Sequence, residues 1–256
     1  MNSRERLVAM ARGGDVDRAP WFAWSGGASA KQALDFAKSF SPDAIVVSSA
    51  IRAEQALQEL DENGPAVLVE VGNPFGEALQ SGVDLNEEFA KGPESGDEAF
   101  SAFVEGVGSS LHAALESGAD GVLYRVFGAE PSLSTPMQFG GHYLEREREL
   151  LQSISDARFN VVYIEGGDEV FLDVVSDLPA HALGWDEQRS HIPPSEVRKM
   201  REGALACGLF SDVRKLWEEF GGKGLIISGR VDDLSEFDFK EIIDVVQLLR
   251  SPAAHE

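Results

Sequence analysis

Two carboxylates close apolar, β-prone runs of this chain: Glu165 ends Asn160–Glu165, and Asp186 follows Ala180–Trp185. Glu165 runs into Gly166-Gly167-Asp168, the pattern of a buried parallel strand entering a turn. Side by side, the two carboxylates could share a proton or bind a divalent cation; equally, each could cap the helix that follows it. Arg125 interrupts the apolar run Gly121–Phe127, and a cation there needs an interior partner. Glu70, Glu165 and Asp186 are the candidates, in an ion-pair network filling the interior or in a clamp around a substrate. Arg52 and Arg230 each follow a further strand and could hold a carboxylate or phosphate bidentately. Arg230 also has Asp232 and Asp233 as local surface partners. Trp24, Tyr124, Tyr163 and Trp185 lie near strand ends, where they suit a flat ligand or ordinary core packing. His142 and His191 are isolated and lack metal-ligand spacing.

These residues sit on a repeating pattern. Apolar runs at Trp21–Trp24, Ala44–Ser48, Ala66–Val71, Gly121–Phe127, Asn160–Glu165, Ala180–Trp185, Ala204–Phe210 and Gly224–Ser228 read as strands. Helical segments separate them: Arg4–Ala11 before the first, then Lys31–Ser39, Glu54–Glu62, Glu98–Ser117, His142–Ile154, Glu169–Asp177, Ser195–Glu202, Val213–Phe220 and Phe239–Arg250. Ser81–Gly96, polar and acidic with scattered glycines, reads as the least ordered stretch, and Gly128–Gly141 as a long loop. In His142–Ile154 the charges at 145, 146, 148 and 149 read as a solvated face. Eight strand–helix alternations predict a (β/α)8 TIM barrel, an α/β fold that takes about 250 residues, as one domain over residues 1–256. A doubly wound sheet is the competing arrangement, but no GxGxxG follows the first strand. In a barrel the chemistry belongs where the strands end.

Composition narrows the partners. A net charge of -22 argues against nucleic acid and anionic membranes, both of which need a basic face. Cys207 is the single cysteine, so neither an internal disulfide nor a multi-thiolate metal site is expected; its apolar run, Ala204–Phe210, makes it a core thiol. The opening residues are charged and no run is long enough to span a bilayer, so a cytoplasmic protein is expected.

The opening, Ser3-Arg4-Glu5-Arg6 through Gly14 to Asp17-Arg18-Ala19-Pro20, resembles the start of the uroporphyrinogen decarboxylase superfamily. Pro42-Asp43-Ala44 before the second strand, Gly118-Ala119-Asp120 before the fourth, Leu133-Ser134 after it and Gly224–Ser228 at the last are similar to that family's segments. The resemblance spans most of the chain and implies a barrel whose pocket lies at the strand carboxyl ends. It implies either cofactor-free decarboxylation of an acidic tetrapyrrole or zinc-dependent methyl transfer to or from a corrinoid or thiol. Both site patterns are altered. The family's arginines after the first strand fall at Ser25-Gly26-Gly27-Ala28-Ser29-Ala30, its aspartate at Ser49, and its Gly-His-Gly at Gly229-Arg230-Val231. The methyltransferases' His-x-Cys falls at Tyr163 and Glu165, which removes the imidazole and the thiolate of a zinc site.

The expectation is an enzyme of divergent specificity, a poor uroporphyrinogen III decarboxylase, acting on a small molecule such as a tetrapyrrole or corrinoid. Arg52, Arg125 and Arg230 would hold a carboxylate, with Trp24 and Ser49 contributing to binding. Glu165 or Tyr163 would donate a proton, with Asp186 as a further catalytic candidate. No metal, no cofactor, no nucleic acid and no membrane enter this reading; a homodimer is compatible with it. The alternatives are a corrinoid-linked methyltransferase-like protein with an altered metal site, or a non-catalytic tetrapyrrole- or corrinoid-binding accessory protein.

Overall fold

The computed structural model describes residues 1–250. Eight parallel strands form one sheet: β1 (Trp21–Trp24), β2 (Ala44–Val47), β3 (Ala66–Gly72), β4 (Gly121–Val126), β5 (Val161–Ile164), β6 (Ala182–Trp185), β7 (Ala204–Gly208) and β8 (Leu225–Arg230). Their order, β1-β8-β7-β6-β5-β4-β3-β2, is that of a barrel cut open between β1 and β2. Asp43 closes the cut: its N–H donates to Trp21 O at 2.7 Å, and its side chain accepts from Trp21 N–H at 2.9 Å. The strands are mostly apolar because both faces are covered, one by the barrel interior and one by helices; Glu70, Arg125 and Arg230 are the charged exceptions.

The helices follow the strands as expected, with shifted ends. α1 (Ser3–Ala11) begins in a capping box of Asn2 and Glu5 and closes the base of the barrel. After β1 and β2 come α2 (Ala30–Phe40) and α3 (Ala50–Glu59), capped by Ser29 and Ser49. Three helices follow β3: α4 (Pro74–Gln80), α5 (Leu85–Lys91) and the long α6 (Pro93–Glu116). Ser81–Gly96 is therefore ordered, contrary to the reading from composition. Asp84 caps α5 by accepting from the N–H groups of Asn86 and Glu87, Glu88 accepts from Lys91 and Ser95, and Gly92, at φ 153°, turns the chain into α6. The loop after β4 is also partly helical. Pro136–Gln138 (α7) and a π-helical turn, Phe139–Tyr143, lead into α8 (Leu144–Ser153), pinned by the buried rings of Phe139 and Tyr143. The remaining helices are α9 (Leu172–Val175), α10 (Glu187–Ser190), α11 (Pro194–Met200), α12 (Val213–Glu219) and α13 (Lys240–Val246). None of the described helices is long and apolar enough to cross a membrane.

The charged residues of the opening, together with Asp43 and Asp120, enter into the resemblance drawn above and sit at the strand amino ends. Arg6 and Arg18 both pair with the fully buried Asp43, at 2.5 and 2.7 Å, and Arg6 also holds Asp17 at 2.7 Å. Asp120 accepts from Arg4, Arg158 and the Val67 N–H. These are structural staples on the face of a barrel that carries stability. None of them touches the mouth.

Candidate functional site

Side chains two apart on a strand share a face, and register aligns the faces of neighbouring strands. Arg125 lies opposite Tyr163 across β4 and β5, and Trp24 opposite Arg230 across β1 and β8. Glu70 is two residues before Gly72, the partner of Arg125, and Glu165 is two residues after Tyr163. The contacts show which face this is. Arg125 reaches Glu165 at 2.5 Å and Glu70 at 2.6 Å, and its guanidinium lies 5.5 Å from the Trp24 ring centre. Residues of β1 and β4 can meet only through the barrel interior, so this is the mouth of the barrel.

The mouth is an alternating charge cluster on an aromatic floor. Glu165 accepts from Arg125 on one side and from Arg230 on the other, the latter at 3.2 Å. Glu70 spends its second oxygen on the Gly27 N–H at 2.9 Å, which draws the loop after β1 over the cluster. Trp24 carries both guanidinium groups on its ring, with Arg230 at 5.6 Å, and meets the edge of Tyr163 at 4.9 Å. Two acids and two bases balance, which makes burial of the set tolerable. The two arginines are not equivalent. The Arg125 side chain is 15% exposed and committed to two carboxylates, whereas that of Arg230 is 38% exposed and has one partner, Glu165. Among the described residues Arg230 is thus the mouth cation with donors to spare.

Tyr163 keeps its proton: burial raises the phenol, and the nearby charges of Asp186 and Glu165 raise it further. Glu187, which the sequence reading passed over, belongs to the same rim. It starts α10, accepts from the Gly208 N–H at the end of β7, and has a side-chain hydrogen bond with Ser211. Burial lifts its carboxyl to about 7 against those hydrogen bonds, and its charge is near enough to act on Tyr163 and Cys207. No sequence signal marked Glu187, since its partners, the Gly208 amide and the Ser211 side chain, lie at and beyond the end of another strand.

Three other expected site residues have local duties. Asp186 caps α10 by accepting from the Arg189 N–H at 3.0 Å and does not pair with Arg125. Ser49 caps α3. Arg52 donates to the carbonyls of Gly27 and Ala28 and to the Ser48 hydroxyl, tying the loops after β1 and β2 together. Arg230 ignores Asp232 and Asp233 in favour of Glu165. Tyr124 and Trp185 face the helices, where Tyr124 donates to Glu147 at 2.5 Å and Trp185 to Ile192 O at 3.0 Å. His142 stacks on Phe89 at 4.1 Å in the helical layer, and His191 lies exposed near Asp168. Cys207 is buried, as its apolar run implied. The positions that would carry a zinc site, Tyr163 and Glu165, do not fit the ion: Glu165 is taken by two arginines. The described residues contain no group of three His, Cys, Asp or Glu side chains able to hold a metal.

No protein-family model and no curated protein matches the chain. Among solved structures it superposes on a methyltransferase from Methanosarcina mazei with a TM-score of 0.77 at 14% identity, over 96% of this chain and 97% of that one. A dihydrodipicolinate synthase from Oceanobacillus iheyensis gives 0.48 at 14% identity, over 88% and 70%. At 14% identity the likeness to the methyltransferase is one of fold, and the fold it shows is the (β/α)8 barrel.

Proposed function

We propose that the protein is a uroporphyrinogen-decarboxylase-like enzyme of divergent specificity that binds a small carboxylate at the barrel mouth and replaces that carboxylate by a proton. The observation that carries this reading is the free edge of Arg230 near the buried phenol of Tyr163, with Glu187, its carboxyl lifted by burial to about 7, on the other side of that phenol. Arg230, seated on the ring of the buried Trp24, holds the carboxylate. The bond from carbon to carboxylate breaks, carbon dioxide leaves, and the electron pair stays on carbon. Glu187 or Tyr163 then supplies the proton of the new C–H bond. The substrate must provide its own electron sink, a ring or carbonyl next to that carbon. Arg125, Glu70 and Glu165 hold the shape of the mouth. Glu165 is a weaker candidate for proton donor than in the sequence reading, because both its oxygens face arginine.

Uroporphyrinogen III itself is a poor fit. It carries many carboxylates, the chain stands at -22, and the two mouth arginines are already matched by two glutamates. A methyl-transfer reading has one specific point in its favour, the similarity of fold to the Methanosarcina mazei methyltransferase. The test is an anaerobic incubation with aromatic and pyrrole monocarboxylates and with uroporphyrinogen III, following carbon dioxide. Release from a monocarboxylate, lost in Arg230→Gln and slowed in Glu187→Gln, is the expected result. Release from none of them, with methyl transfer from methylcobalamin to a thiol, would replace this reading by the second one.

A further inference from the structure

A cleft opens in the wall of the barrel beside the ion cluster, with which it shares Glu70. It has a volume of about 480 Å³ and lies between the carboxyl end of β3, α4 and one face of α6. Val71 and Phe103 supply apolar surface, Ser81 and Ser110 supply hydroxyls, and Gly106 leaves the α6 side open. No lysine, arginine or histidine lines it. Glu77 does, half-buried, and its carboxylate has no hydrogen bond or ion pair among the described residues. That carboxylate lies over Gly72, where a Cβ would come within 2.7 Å of its Oε1, so the strand is bare where the acid rests. Arg52, at the start of α3 nearby, is turned away to the carbonyls of Gly27 and Ala28. Glu70, the other acid of the lining, is spent on Arg125 and the Gly27 N–H.

We infer that this cleft is a binding site for a small organic amine with an apolar body, its ammonium group seated on the Glu77 carboxylate. A half-buried carboxylate with no cation is an unpaired acceptor, and a ligand ammonium satisfies it with a charge-assisted hydrogen bond. The apolar wall of β3 and α6 then receives the ligand body. Burial raises the Glu77 carboxyl, which is the direction expected of an acid waiting for a counter-ion. The strongly acidic surface draws cations toward the opening. Gly106 adds to the case: it sits inside a 24-residue helix, where alanine would be the better helix former, and a Cβ there would meet nothing within 4 Å. Its lack of a side chain preserves room.

The test uses three indoles that differ in charge: tryptamine, tryptophol and indole-3-acetate, followed by ligand-observed NMR on the intact protein. Tryptamine should bind saturably, tryptophol about tenfold more weakly, and indole-3-acetate should not displace tryptamine. Glu77→Gln should weaken tryptamine at least about tenfold. Gly106→Leu, which fills the cleft at a position with free space, should abolish binding while the circular dichroism stays that of the parent. Arg230→Gln should leave tryptamine binding unchanged, which separates this site from the mouth. Absence of saturable tryptamine binding, equal affinity in Glu77→Gln, or loss of binding in Arg230→Gln would each overturn the assignment.

Discussion

Arg125 on β4 and Glu165 at the end of β5 meet at 2.5 Å inside the barrel, and the same carboxylate reaches across to Arg230 on β8. One acid thus joins a buried arginine to a half-exposed one, so structure and binding share a group. Arg125 fixes where Glu165 stands, and Glu165 fixes where the free edge of Arg230 points.

Replacing the two arginines should therefore have unequal effects. Arg125→Met leaves Glu70 and Glu165 buried without their main counter-charge, a loss of about 3–5 kcal/mol in unfolding free energy. Arg230→Met removes a solvent-screened contact and should cost no more than about 1 kcal/mol. Urea denaturation of the two variants checks this. Equal small losses would mean that the mouth is wet enough to screen Arg125 as well.

Acid and base should act on stability through Glu147. This residue is fully buried on α8, accepts from the Tyr124 hydroxyl at 2.5 Å and Asn73 Nδ2 at 2.8 Å, and has its carboxyl pushed by burial from 4.5 to about 7. Between those values the folded chain holds a proton that the unfolded chain has released. The contribution of the group is fully present below pH 4.5 and is lost as pH rises through 7. Asp17, held well below its usual 3.8 by Arg6, works in the opposite sense at more acid pH, outside that window. Glu147→Gln keeps the shape and removes the titration, so its unfolding free energy should decline less between pH 4.5 and 7 than the parent's. Parallel curves for the two proteins would refute this.

How much of this was legible in the sequence depended on how local the cause was. The strands stood out because parallel strands covered on both faces are unbroken apolar runs, and all eight appear within a few residues of their expected ends. Arg125 was legible as a cation needing an interior partner, because a charge inside such a run has no other solution. Its partners proved to be Glu70 and Glu165, not Asp186. Ser81–Gly96 was misread because capping residues and loop residues are the same amino acids. Glu147 was hidden among the charges of α8, yet its spacing from Leu144, Leu150 and Leu151 puts it on the buried stripe of that helix. Glu187 left no trace, since what buries it comes from β7 and the loop beyond. The charged residues of the resemblance, Arg6, Asp17, Arg18, Asp43 and Asp120, lie at the base of the barrel. The resemblance was informative about the barrel for the same reason that it was uninformative about the reaction.

Gly26 offers a way to separate the mouth's architecture from its use. It lies exposed in the turn after β1, and a Cβ there would stand 3.5 Å from Arg230 Nη2, 3.7 Å from Glu70 Oε1 and 3.8 Å from Arg125 Nη1. Those are ordinary van der Waals distances, so a side chain fits without moving the cluster. Its backbone is not in the left-handed region that would demand glycine. Gly26→Leu should change stability by no more than about 0.5 kcal/mol, as expected of a surface substitution. The leucine would nevertheless extend from that point across the free edge of Arg230, where a bound carboxylate must sit. Titration with benzoate and phenylphosphonate, followed by calorimetry, should show binding to the parent and none to Gly26→Leu or Arg230→Gln. Binding undiminished in Gly26→Leu would place the anion elsewhere and remove Arg230 from the role given to it.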